Sequence, residues 1–135
     1  MFKELETSDS TAKMMQPLAL AMIGDAVHTL YVRNFIAVRF GVKVNKINKL
    51  VSSVVSAGAQ FKTFKKIESM LNEEEIDIAR RARNTHKNSK AKNFSYSEYI
   101  YATAFEAVIG YLYLTKQNER LNEILKISIE ELKID

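Results

Sequence analysis

No cysteine occurs in the sequence, which closes off disulfides and thiolate metal sites and suits a reducing, cytoplasmic setting. Apolar runs are short: the longest, around residues 18–23, falls well below the roughly 20 residues of a membrane-spanning helix, so no membrane partner is expected. The N-terminus, Met1-Phe-Lys-Glu-Leu-Glu-Thr, is acidic and polar where a signal peptide is basic and then apolar, and secretion is not implied. There is one proline and no repeat or low-complexity tract. Acids are missing from two long spans. Residues 26–67 contain no Asp or Glu yet carry Arg33, Arg39, Lys43, Lys46, Lys49, Lys62, Lys65 and Lys66; residues 78–97 contain none and carry Arg80, Arg81, Arg83, Lys87, Lys90 and Lys92.

What is present fits one domain. The chain has 135 residues, 47% of them hydrophobic, enough to build a core. The formal charge of +4 says little alone, but the sorting of charge along the chain suggests a basic face.

Periodicity predicts an all-α architecture of about six helices, two of them long. Residues 1–13 read as a loose leader that orders only on packing. Pro17 then opens the first helix, since proline in the first turn loses no needed hydrogen bond. Leu20, Ile23, Val27, Leu30, Tyr31, Phe35 and Val38 form its expected apolar face up to Gly41, a helix stop. Asn45 reads as the cap of a second helix. Gly58 marks a break before a third, with Phe61, Phe64 and Ile67 inside. Asn72-Glu73-Glu74-Glu75 reads as a cap followed by acids favoured by the helix dipole. Residues 84–94 read as an exposed basic loop. Ser95-Tyr-Ser-Glu98 has capping-box spacing for a fifth helix, and an amphipathic helix from about residue 119 ends the chain.

Two acids stand apart from this pattern. Asp25 is the only acid between Asp9 and Glu68, and Glu106 the only one between Glu98 and Glu119, each inside an apolar helical stretch. A carboxylate among Ile, Leu and Phe is costly to desolvate unless a cation, a donor or a wet cleft compensates it. Small residues flank both: Ala21 and Gly24 near Asp25, Ala102, Thr103 and Gly110 near Glu106. If those small faces meet, the carboxylates converge. An oxygen-only ligand set suits Mg²⁺ or Mn²⁺, with water and substrate phosphate in the remaining positions. The competing reading is a pair of buried acids partnered by Arg, Lys or backbone amides. His28, three residues after Asp25, is either a base or phosphate contact or an ordinary packed histidine. The cations of residues 80–92 lack interleaved aromatics, so phosphate contact along a duplex fits them better than base stacking; a merely solvated loop is the alternative.

The stretch Ile23-Gly24-Asp25-Ala26-Val27 resembles the signature of the ribonuclease III catalytic domain, and Ala104-Phe105-Glu106-Ala107-Val108-Ile109-Gly110 resembles that family's second motif. The order is right, and residues 50–57 look like the family's middle helix, so the likeness spans roughly residues 16–117. The form Tyr101-Ala-Thr-Ala-Phe-Glu-Ala is similar to Mini-III, the compact bacterial branch without a double-stranded-RNA-binding domain. The resemblance implies a Mg²⁺-dependent endoribonuclease acting as a homodimer on double-stranded RNA. Asp25 and Glu106 would be its catalytic metal ligands and Thr103 a ligand through water. Arg80, Arg81, Arg83, Lys87, Lys90 and Lys92 would hold RNA. For Mini-III the implied substrate is the large-subunit (23S) ribosomal RNA precursor, with a ribosomal protein or pre-ribosome as a further partner. Departures from the fuller family pattern are Leu18, Ala21, Lys46 and Thr103 where acids are usual. A four-carboxylate site is therefore not available. The alternative is a non-catalytic RNA-binding relative with a degenerate site; a helix-turn-helix DNA binder would need a recognition helix that is not evident.

Overall fold

Pro17 stands in the first turn of the longest helix, α2 (Pro17–Phe40), which ends at Gly41 in the left-handed region with φ of 54°. This computed structural model describes residues 7–41, 43–85 and 94–132. Before α2 comes α1 (Asp9–Met14), capped by the Ser8 hydroxyl. Over residues 9–13 the leader is ordered by packing: the capped turn folds down with Ala12 wholly buried in the core. After α2 follow α3 (Val44–Val55), α4 (Ala57–Ile67), a 3₁₀ turn (Glu68–Met70), α5 (Glu73–Asn84), α6 (Phe94–Leu114) and α7 (Asn118–Ser128). Among the described residues there is no strand, and the architecture is all-α.

Several boundaries shift for local reasons. Helix α3 starts at Val44, with Lys43 rather than Asn45 at its cap. The break before α4 falls at Ser56, whose hydroxyl accepts from the Ala59 amide, and Gly58 lies inside the helix. Asn72 and Glu75 form the reciprocal capping box of α5 at 2.9 and 3.0 Å. Helix α6 begins one residue before Ser95, whose side chain lies outside the described residues, as does the basic loop from residue 86 to 93.

Helix α6 is the centre of the domain. It packs against α2, α4, α5 and α7, and across residues 102–112 every residue is buried except Glu106. A helix apolar on all sides belongs in the middle of a bundle. The main core gathers Leu20, Phe64, Ile67, Ile78, Phe105, Ile109, Tyr111, Leu112 and Ile124 around it. A smaller cluster joins Val32, Ile36, Val51, Val54 and Ile129 at the far end of α2.

The apolar face expected for α2 is displaced. Its buried residues are Leu20, Ala21, Gly24, His28, Val32 and Ile36, while Leu30 is 58% and Val38 79% exposed. The buried face follows the close approach to α6, which needs the smallest side chains rather than the largest. That leaves Leu18, Met22, Ala26 and Leu30, at successive steps of four, on the outside of the helix.

Candidate active site

Helices α2 and α6 touch through their glycines. A methyl on Gly24 would fall onto the Glu106 carbonyl and 2.9 Å from the Gly110 amide nitrogen; a methyl on Gly110 would strike the Leu20 carbonyl and sit 3.1 Å from the Gly24 nitrogen. Backbone therefore meets backbone, and the acids beside each glycine are drawn together. Asp25 is exposed and Glu106 partly so, and the Asp25 carboxylate is close enough to act on Glu106 electrostatically. Burial, helped by the Asp25 charge, pushes the Glu106 carboxyl up to about 8.

Among the described residues no Arg or Lys forms an ion pair with either acid. The buried-acid alternative is realised elsewhere. Glu75, whose side chain is 1% exposed, accepts from Arg120 at 2.7 and 2.9 Å, and Arg120 also donates to the Met70 carbonyl at 2.6 Å. Glu75 was hidden in the sequence by its acidic neighbours Glu73 and Glu74.

The polar partner of Glu106 is Gln60 on α4, which sequence reasoning missed. Its Nε2 lies 3.5 Å from Glu106 Oε2 and 3.0 Å from His28 Nδ1. His28 is fully buried, its ring edge-on to Phe105 at 5.0 Å, and its Nε2 is 3.1 Å from the Ser128 hydroxyl on α7. Burial pulls the imidazole down to about 4. With both nitrogens engaged and the ring neutral, His28 is a packed histidine and neither a base nor a phosphate contact. A signal for Gln60 existed: Gln60, Thr63, Phe64 and Ile67, the buried residues of α4, are spaced as a helix face that opens on an amide.

The remaining expected residues divide. Thr103 is buried and its hydroxyl donates to the Tyr99 carbonyl at 2.9 Å, so its proton is committed inside the helix. Arg80 is exposed and paired with Asp77. Arg81 is engaged within the fold: its guanidinium donates to the carbonyls of Lys13 and Met15 at 2.9 and 3.2 Å, tying α1 to α5. Arg83 lies 5.4 Å from the Tyr101 ring, against which Lys65 also sits at 4.1 Å, so two cations flank one aromatic on α6. Lys87, Lys90 and Lys92 lie outside the described residues.

For a divalent cation, Asp25 and Glu106 offer two carboxylates without a compensating base. Among the described residues no group of three His, Asp or Glu comes together. Two carboxylates fit Mg²⁺, which keeps several waters and takes substrate phosphate, and do not fit an all-protein cage.

The ribonuclease III domain family matches residues 18–117. The chain is 46% identical to the Mini-ribonuclease 3 of Clostridium tetani over 92% of its own length and 83% of that protein. It is 42% identical to the Mini-ribonuclease 3 of Thermoanaerobacter over 96% and 91% respectively. A crystal structure of a protein from Fusobacterium nucleatum superposes with a TM-score of 0.78 at 35% identity, covering 92% of this chain and 98% of that one. Both acid-bearing motifs lie inside the matched span, and the chain belongs to the ribonuclease III family, among the Mini-ribonuclease 3 endoribonucleases.

Proposed function

We propose that the chain cleaves double-stranded RNA in a Mg²⁺-dependent reaction at the Asp25–Glu106 pair, with Mn²⁺ able to substitute. One observation carries the reading: two carboxylates are brought together where Glu106 interrupts the buried run 102–112 of α6, with no Arg or Lys paired to either among the described residues. Asp25 and Glu106 would hold the cation, Glu106 giving up its proton on binding. The chemistry supplied by a bound Mg²⁺ is polarisation of the phosphodiester and acidification of water. Cleavage would leave a 5′-phosphate and a 3′-hydroxyl. The glycine crossing keeps the two carboxylates at one spacing, and the neutral His28 takes no part in proton transfer. Thr103 would reach the site only by accepting from water, since its proton is spent on Tyr99.

The exposed α2 strip supports a homodimer. Leu18, Met22 and Leu30, exposed at 44, 70 and 58%, line the helix that carries Asp25, so pairing of these faces would set two sites side by side. Arg80 and Arg83, with Lys87, Lys90 and Lys92, would hold flanking phosphates, leaving Arg81 structural. Within this reading the substrate is the 23S ribosomal RNA precursor, met with a ribosomal protein or in a pre-ribosome, in the cytoplasm.

Incubating the purified protein with a long RNA duplex in Mg²⁺ and in EDTA, beside Asp25→Asn, tests the proposal. Cutting by the wild type in Mg²⁺ alone supports it. Tight binding without cutting in Mg²⁺ or Mn²⁺ overturns it in favour of a non-catalytic RNA-binding relative.

A further inference from the structure

A continuous hydrogen-bonded path crosses the core to Glu106 and uses four helices. Ser128 on α7 donates to the Leu125 carbonyl at 2.6 Å, so its oxygen is left to accept from His28 Nε2 on α2 at 3.1 Å. His28 Nδ1 is then without a proton and accepts from the Gln60 amide on α4 at 3.0 Å. The other N–H of that amide points to Glu106 Oε2 at 3.5 Å on α6. Every proton has one consistent place, and the direction is set at the α7 end. Were His28 in its other tautomer, Gln60 would turn its carbonyl oxygen to the ring.

We infer that Gln60, oriented by His28 and Ser128, is a positioning residue that aims the Glu106 carboxylate at a divalent cation. This rests on the reading of Asp25 and Glu106 as the cation site. Gln60 is 2% and His28 0% exposed, and burying such groups costs stability that apolar side chains would not cost. The path is specific in where it ends: among the described residues Gln60 is the side chain that hydrogen-bonds Glu106. A carboxylate held by one oxygen presents the other in a fixed direction. Ligands so oriented typically lose 10–100-fold in metal affinity or activity when the outer partner is removed.

The test titrates Mn²⁺ into the full chain without RNA, by calorimetry, and measures duplex cleavage in parallel. Gln60→Met, which keeps the length of the side chain and removes the donor, is expected to weaken Mn²⁺ binding about 10–100-fold and to lower kcat while KM for the duplex stays unchanged. His28→Phe is expected to move both in the same direction by less. The double variant should lose no more than Gln60→Met alone, because the residues act as one unit, whereas two separate packing defects would add. Wild-type Mn²⁺ affinity in Gln60→Met, with affinity lost in Asp25→Asn, overturns the positioning role and leaves the site reading standing. Undiminished affinity in Asp25→Asn overturns both. If Gln60→Met does not fold, Ser128→Ala decides: a severalfold loss of Mn²⁺ affinity supports the path and wild-type affinity refutes it.

Discussion

Replacing Gly24 by alanine tests the crossing on which the site is built. In the middle of an exposed helix, Gly→Ala stabilises by about 1 kcal/mol. At Gly24 the new methyl meets the carbonyl carbon and oxygen of Glu106 and lies 2.9 Å from the Gly110 nitrogen. These are backbone atoms, so no rotamer change gives relief, and one helix must back away by more than an ångström. Helix α6 is wedged by α4, α5 and α7 on its other sides, so the shift spreads through the core. Overpacking against side chains costs roughly 1–3 kcal/mol, and against rigid backbone the upper end or beyond. After the propensity gain, a net loss of about 2–3 kcal/mol remains, which for a domain of this size lowers Tm by roughly 6–15 °C. Calorimetric melting of wild type, Gly24→Ala and a control, Gly58→Ala, reads it. At Gly58 the nearest atom is the far end of Glu98 at 3.1 Å, which can swing aside, so that variant should melt at or above wild type. A Gly24→Ala protein that does the same would refute the backbone contact.

Removing one partner of the Glu75–Arg120 pair strands a buried charge, so Arg120→Met should cost about 3–5 kcal/mol by denaturant titration; a loss below 1 kcal/mol would mean that the pair is dispensable. Without divalent ions, stability should fall as pH rises from about 6.5 to 8. Folding raises Glu106 from the usual 4.5 to about 8, so the native state keeps a proton there that the unfolded chain has released, and the stability this confers is lost as pH climbs through the native value. His28 acts with the opposite sign: lowered from 6.5 to about 4, it costs stability as pH falls below 6.5, and the two effects offset each other between about pH 5 and 6.5. Urea melts of Glu106→Gln should lack the decline above pH 6.5, and its persistence would place its origin elsewhere. Arg80→Ala with Arg83→Ala should weaken duplex RNA binding and reduce the slope of log affinity against log salt by up to about 2; an unchanged slope would remove both from the interface.

The two acids were legible in the sequence because isolation in an apolar stretch is a one-dimensional signal. Their convergence was legible as well, through small residues flanking each. The path behind Glu106 was not. Gln60 and Ser128 sit 46 and 22 residues from Glu106 along the chain, and nothing local links either to it. The face of α2 was misjudged because periodicity weights large apolar side chains, whereas the tightest contact selected Gly24 and Ala21 and left Leu30 and Met22 outside. Arg81 was grouped with Arg83 by composition, yet a one-hundred-degree turn per residue along α5 sends one to the α1 carbonyls and the other to Tyr101.

The placement of α6 has a consequence for how the molecule comes into being. A ribosome makes this domain from the outside in: α1 to α5 emerge first, each with an apolar face turned toward a helix that has not yet been synthesised. Until residues 94–114 appear there is no centre for those faces to cover, and Leu20, Phe64 and Ile78 have no native neighbours of α6 to bury against. Folding of such a chain is held back until its last third is available, and the nascent shell is exposed to aggregation during the wait. On the proposed reading of Asp25 and Glu106 as the catalytic pair, activity cannot precede α6 either, since the second acid arrives on the same helix that closes the core.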